Sequence, residues 1–199
     1  METFSQFVRR VVTALNGSRI DYMLTGAMAS SYYGRPRTTL DVDVVISCGV
    51  QDLPRLAKNL EAAGLQVDSM TLRKYWESTY RIVTATDKRS PHTLDIIFTD
   101  QRLMKRSGRI LGVHTYYQSP ESLILAKLRM LKATIQPEKA ESDREDVKAI
   151  LMSTKVNLKS LRKDARTQDT FSILTRLIKQ ISPISGLKAT KRKRSEPSR

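Results

Sequence analysis

Cysteine occurs once in the 199 residues, at Cys48. No intramolecular disulfide framework is available, so a packed core must hold the fold. Histidine occurs twice, at His92 and His114, with no Cys/His spacing that would suit zinc. Aromatic residues make up 6% of the chain, which leaves the core mainly to aliphatic side chains. No apolar run approaches the ~18 residues of a membrane-spanning helix. Without disulfides or an N-terminal leader pattern, the expected location is the cytoplasm, with no membrane partner. Negative charge is also scarce: 20 Asp and Glu face 35 Lys and Arg, for a formal charge of +15.

The positive charge is unevenly placed. From Lys155 to Arg199 there are 13 basic and 3 acidic residues, a surplus of ten. A basic C-terminal region of this kind fits a polyanion, and nucleic acid is the expected partner. Residues 182 to 199 are rich in Lys, Arg, Ser and Pro and read as a disordered basic tail.

With 40% hydrophobic residues, a substantial core is available. Phe4, Phe7, Val8, Val11, Val12 and Leu15 recur at helical spacing, closed by Asn16-Gly17. Ile20 to Leu24 reads as a short strand, and Thr25-Gly26-Ala27 as a turn into a small-residue helix ending at Tyr33. A helix is expected from Asp52 as N-cap to Gly64. Strands are expected at Leu65 to Asp68, Tyr80 to Ala85, Thr93 to Phe98 and Ile110 to Tyr117, with a short basic helix from Gln101 to Ser107. Helices follow from Ser119, from Pro137, over Leu158 to Ala165, and over Phe171 to Ile181. The order predicts an α+β core, a mixed sheet with flanking helices, followed by a helical C-terminal lobe. The expected divisions are 1–117, 118–182 and the tail 183–199.

The most informative stretch is Leu40-Asp41-Val42-Asp43-Val44-Val45-Ile46. In a strand, successive side chains alternate faces, so Asp41 and Asp43 point the same way. At ~4 Å and an effective dielectric of ~20, two like charges cost about 4 kcal/mol. A divalent cation between them reverses the sign, and Mg2+ takes such ligands together with substrate phosphates. Asp95 is a further acid in an apolar strand, Leu94-Asp95-Ile96-Ile97-Phe98, where an unpaired buried carboxylate would be costly. The glycine of Thr25-Gly26-Ala27 allows close backbone approach, and the following helix start favours phosphate. Three carboxylates beside a phosphate-binding turn describe metal-dependent phosphoryl transfer. His92 and His114 read as strand histidines satisfied by hydrogen bonds, and Tyr32, Tyr33, Tyr116 and Tyr117 as packing residues.

Gly26-Ala27, thirteen residues, then Asp41-Val42-Asp43-Val44, with Asp95 on a later strand, resembles the nucleotidyltransferase fold of the DNA polymerase β superfamily. More narrowly, Tyr22 to Ile46 is similar to small prokaryotic nucleotidyltransferases of the AbiEii and MenT toxin groups. Gly34-Arg35-Pro36-Arg37-Thr38-Thr39 before the acidic strand, Ser119 to Leu128, and Arg144-Glu145-Asp146-Val147 share in it. The resemblance covers roughly residues 5 to 155.

It implies that Asp41, Asp43 and Asp95 hold Mg2+ (or Mn2+), with Asp95 also acting as base or orienting the acceptor hydroxyl. It further implies a nucleotide-binding set of Gly26, Ala27, Ser30, Arg37, Lys127 and Asp146, and an NTP as substrate. Ala27 stands where the family usually has Ser or Gly, and Ser30 is the candidate substitute hydroxyl. Lys74 and Arg81 beside Trp76 and Tyr80, and Arg35, are weaker candidates. The implied activity is transfer of NMP to an RNA, the tRNA 3′ end in the toxin group, with a cognate toxin or antitoxin as partner. The same fold admits a protein acceptor, a small-molecule acceptor, or a non-catalytic nucleic-acid-binding role.

Overall fold

The computed structural model describes residues 2–133 and 136–181. The expected basic tail, 183–199, lies outside the described residues. The fold divides into two compact units, the first ending at Ile124 and the second beginning at Leu125.

The first unit is α+β. Its first helix, α1 (Phe4–Ser18), starts at a Thr3 N-cap whose side chain accepts the Gln6 N–H in a capping box. It stops at Arg19, whose φ of 54° is left-handed. Phe7, Val8, Val11, Val12 and Leu15 line its buried stripe. Next come β1 (Asp21–Leu24), α2 (Gly26–Tyr33) and β2 (Asp41–Ser47). A 3-10 turn over Val50–Asp52 leads into α3 (Leu53–Ala62). The two-residue β3 (Leu65–Gln66), α4 (Ser69–Trp76), β4 (Ile82–Asp87), β5 (Thr93–Thr99), β6 (Lys105–Ile110) and β7 (Val113–Gln118) complete it.

The strands form one sheet in the order β3-β4-β5-β2-β1-β7-β6. It is mixed: β2 runs parallel to β5 and antiparallel to β1, and β4 is antiparallel to β5. Burial alternates residue by residue along β2 and β5. Val42, Val44, Ile46, Leu94, Ile96 and Phe98 are buried, and α1 and α3 supply Phe7, Val11, Leu56 and Leu60 to the core. Each fully buried aliphatic side chain contributes about 1.5–3 kcal/mol. The opposite face of β2 and β5 carries Asp41, Asp43 and Asp95, all half-buried.

Four local expectations differ from the structure. The basic segment expected as a helix from Gln101 to Ser107 instead leads into β6, paired with β7 along its length. The strand expected from Ile110 to Tyr117 is broken at its start by the hairpin turn Leu111-Gly112, where both residues have positive φ (49° and 81°). Cross-strand hydrogen bonding, a non-local term, decides this hairpin. Helix α4 was not expected; an Asp68 N-cap that accepts the Thr71 N–H starts it, and Leu72 is its buried anchor. Asp52 makes no side-chain cap of α3; its carboxylate accepts the Gly49 N–H and pairs with Arg55 at 2.8 Å.

The second unit is helical, with the later part of α5 (Pro120–Ala133), α6 (Pro137–Ser153), α7 (Leu158–Thr167) and α8 (Phe171–Ile181). Leu128, Val147, Ile150, Leu161, Ala165, Leu174 and Leu177 are its buried residues at helical spacing. None of the described helices is long and apolar enough to cross a membrane.

Candidate active site

The acidic strand is placed by its neighbours. Leu24 of β1 pairs with Val44, and the Thr25 N–H continues the contact by donating to the Asp43 carbonyl at 2.9 Å. The Thr25 hydroxyl donates to Gln118 Oε1 at 2.5 Å, tying the turn to β7. Gly26 follows with φ +55°, a conformation that disfavours any Cβ. A Cβ there would stand 2.8 Å from Asp43 Cγ and overlap the carboxylate itself. The glycine is therefore required twice, by backbone conformation and by proximity to the acid. Thr25 makes no side-chain cap of α2.

Asp43 lies directly beside Asp95 in the parallel β2–β5 register, and Asp41 beside Thr93. Partners across a sheet share a face, so all three carboxylates project together. One ligand oxygen from each lies within 4.8 Å of the others. Two threonines steady the set: Thr39 donates to Asp41 Oδ1, and Thr84 of β4 to Asp95 Oδ1 at 2.6 Å. Neither threonine was singled out in the sequence. Thr84 becomes visible only through the pairing of β4 with β5, which sets it opposite Asp95. An all-oxygen donor set of this span fits a hard cation such as Mg2+ or Mn2+.

The other candidates fall in different places. Ala27 is buried, and Ser30 is buried with its hydroxyl donating to the Gly26 carbonyl at 3.0 Å. Arg37 is exposed and Arg35 half-buried in the loop that enters β2. Arg81 has φ 50°, its guanidinium lies 5.3 Å from the Trp76 ring centroid, and it pairs with Asp100 at 3.3 Å. Tyr80 is 85% exposed, and Lys74 lies 6.0 Å from the Tyr75 ring centroid. Cys48 is half-buried, and burial with the nearby Asp52 charge pushes its thiol up to about 11.

Lys127 and Asp146 belong to the second unit. Lys127 is 5% exposed and its ammonium pairs with Asp146 at 2.7 Å and Asp143 at 2.8 Å. Asp143 was missed in the sequence, though it lies one turn before Asp146 on the same helical face. His114 behaves as expected, with a ring nitrogen 2.9 Å from the Ser107 hydroxyl. His92 differs: it packs against Phe4 and Phe7 just before β5, and its buried Nδ1 has no hydrogen-bond partner among the described residues. Tyr33 and Tyr117 pack as expected, and burial raises both phenols to about 12.

No protein-family model matches the sequence, and no curated protein matches it significantly. Solved structures do match the fold. An antigenic nucleotidyltransferase-like protein from Paracoccidioides brasiliensis superimposes with a TM-score of 0.63 at 16% identity, over 90% of each chain. ANT(2'')-Ia, solved in complex with adenylyl-2''-tobramycin, gives 0.61 at 16% identity, over 84% of this chain and 99% of its own. The lincosamide antibiotic adenylyltransferase LnuA, with lincomycin bound, gives 0.53 at 14% identity, over 75% and 99%. The fold is that of the nucleotidyltransferases.

Proposed function

We propose that this protein is a Mg2+-dependent nucleotidyltransferase that moves NMP from an NTP to an RNA acceptor. The observation that carries the reading is the gathering of Asp41, Asp43 and Asp95 on one sheet face beside the Gly26 turn. Asp41 and Asp43 would hold the metal, with Asp95 as the third ligand. The bound cation would supply charge stabilisation for the attacking and leaving oxygens of an in-line displacement.

The protein's own groups do the rest. The amides of Gly26, Ala27 and the next residues would face the substrate phosphates at a helix start that the Thr25 side chain does not cap. Ala27 has no hydroxyl and Ser30 donates its own to Gly26, so backbone donors carry this role. Arg37 is the loop cation that reaches phosphate. Thr84 holds the Asp95 carboxylate, which takes up or directs the proton of the attacking hydroxyl. The new bond joins that oxygen to the α-phosphorus, and pyrophosphate leaves. Lys127 and Asp146, in the implied nucleotide-binding set, are joined as a buried ion pair between α5 and α6. Residues 1–117 are the catalytic core and 118–182 the lobe.

RNA is favoured as acceptor by the charge of +15 and its concentration after Lys155. The resemblance to toxin-type enzymes points to the tRNA 3′ end and to a toxin–antitoxin setting. A small-molecule acceptor is the second reading, because two of the structural matches carry an aminoglycoside product or a lincosamide. Tobramycin is itself a polycation, and the basic lobe opposes it.

The test incubates the protein with each α-labelled NTP, Mg2+ and one of three acceptor pools: total tRNA, co-expressed protein, or antibiotics. Label is expected on RNA with wild type and not with Asp41→Ala. Label on an antibiotic or a protein would replace the acceptor. Identical behaviour of the two proteins in every pool would end the enzymatic reading.

A further inference from the structure

The outer surface of α7 and α8 has a pattern that core packing does not require. On α7, Lys159, Arg162, Lys163 and Arg166 follow the spacing i, i+3, i+4, i+7, one continuous helical stripe, and all four are exposed. On α8, Ser172, Thr175, Arg176 and Lys179 repeat that spacing. The buried faces are separate: Leu161 and Ala165 on α7, Leu174 and Leu177 on α8. The two stripes flank a pocket of about 240 Å³ lined by Arg162, Arg166, Phe171, Thr175, Ile178 and Lys179. The Arg166 guanidinium lies 4.1 Å from the Phe171 ring centroid, beside the pocket.

The positive charge there is uncompensated. Among the described residues, none of the stripe cations is in an ion pair. Their helices contain only one acid, Asp164, and it accepts from the Ser160 hydroxyl. Asp169, between the helices, pairs with Lys132. Like charges one turn apart repel, so a purely structural surface would interleave acids.

We infer that the α7–α8 pocket binds the phosphate backbone of the nucleic-acid acceptor, with Arg162, Arg166 and Lys179 each contacting phosphate. Guanidinium groups suit phosphate through paired N–H donors; the Thr175 hydroxyl is already donated to the Phe171 carbonyl at 2.8 Å, so the cations carry the contact. A membrane surface is the other common target of basic amphipathic helices, but that requires exposed apolar side chains beside the cations. Here the apolar faces are used in the unit's own core, and Leu158 is the one large hydrophobic residue exposed on α7 or α8.

The inference rests on the RNA-acceptor reading, and its test separates the two. Binding of the full chain to a 20-nucleotide single-stranded RNA is measured across a salt series, without NTP or metal. The comparison is between wild type, Arg162→Gln/Arg166→Gln/Lys179→Gln and the charge-conserving Arg162→Lys/Arg166→Lys. Neutralising three contacts should lower the log–log salt slope by about 2, with affinity falling roughly 100-fold at 0.1 M salt. The lysine variant should keep the slope. Circular dichroism confirms that the variants are folded, as expected for exposed side chains. An unchanged slope in the neutralised protein overturns the inference even if transfer to RNA proceeds. Binding of anionic phosphatidylglycerol vesicles that depends on the three residues, with RNA affinity unaltered, overturns it in favour of a membrane. Loss of transfer in every acceptor pool, with this RNA binding intact, would instead remove the enzymatic reading alone.

Discussion

Two carboxylate clusters lie in this protein and are handled in opposite ways. On the sheet, Asp41 and Asp95 are half-buried, and threonine hydroxyls steady them. In the helical unit, Asp143 and Asp146 are buried and share the ammonium of Lys127. The buried cluster brings its own cation because a carboxylate withdrawn from water without one would not stay ionised. The sheet cluster stands at a surface where water screens the repulsion. Similar chemistry is thus paired with an internal cation in one place and screened by water in the other, and burial decides between them.

The largest effect that sharpens this contrast is expected at the clamp. Lys127→Met leaves two carboxylates at a buried position, and thermal or urea unfolding should show a loss of about 3–5 kcal/mol. Adding Asp143→Asn and Asp146→Asn should recover a substantial part. A melting curve like wild type for Lys127→Met would show that the clamp does not hold the unit together.

A smaller effect of opposite sense is expected at the sheet. Saturating Mg2+ should stabilise wild type, by about 2.7 kcal/mol at a hundred times its dissociation constant. Asp43→Asn should lose that gain while being no less stable than wild type in chelator, because a like-charge contact has been relieved. Equal Mg2+ shifts in the two proteins would remove the metal from this face.

The smallest effect concerns a further acid, Asp87, whose buried side chain lies beside Arg10. Burial raises its pKa, but hydrogen bonds from Ser90 (2.7 Å) and Arg10, and the Arg10 charge at 3.0 Å, outweigh that and hold it below 3.8. A depressed carboxylate stabilises the fold above its unfolded pKa and ceases to do so as pH falls through the folded value. The stability difference between wild type and Asp87→Asn should therefore be full near neutrality and shrink below about pH 4. A difference that stays constant from pH 7 to pH 3 would contradict the pairing.

Much of the architecture was legible because it is local. Alternation in β2 and β5, helical periodicity in α1, α7 and α8, and glycine at the strand-to-helix turn each carry their signal within a few residues. The segment Lys105 to Ile110 carried no such signal, since Lys-Arg-Ser-Gly-Arg-Ile has neither period, and it became a strand through β7. Helix α4 escaped for a related reason: Leu72 is its only buried residue, too little to mark a face.

The chain alone determined that Asp41 and Asp43 share a face, that Gly26 precedes them, and that positive charge gathers after Lys155; these follow from strand period, glycine's freedom and composition. Tertiary structure decided that Asp95 meets them, that Thr84 and Thr39 steady the set, and that Lys127 is enclosed by two acids. Those outcomes depend on parallel pairing and helix packing between segments far apart in the chain, and no local pattern encodes the register at which such segments meet.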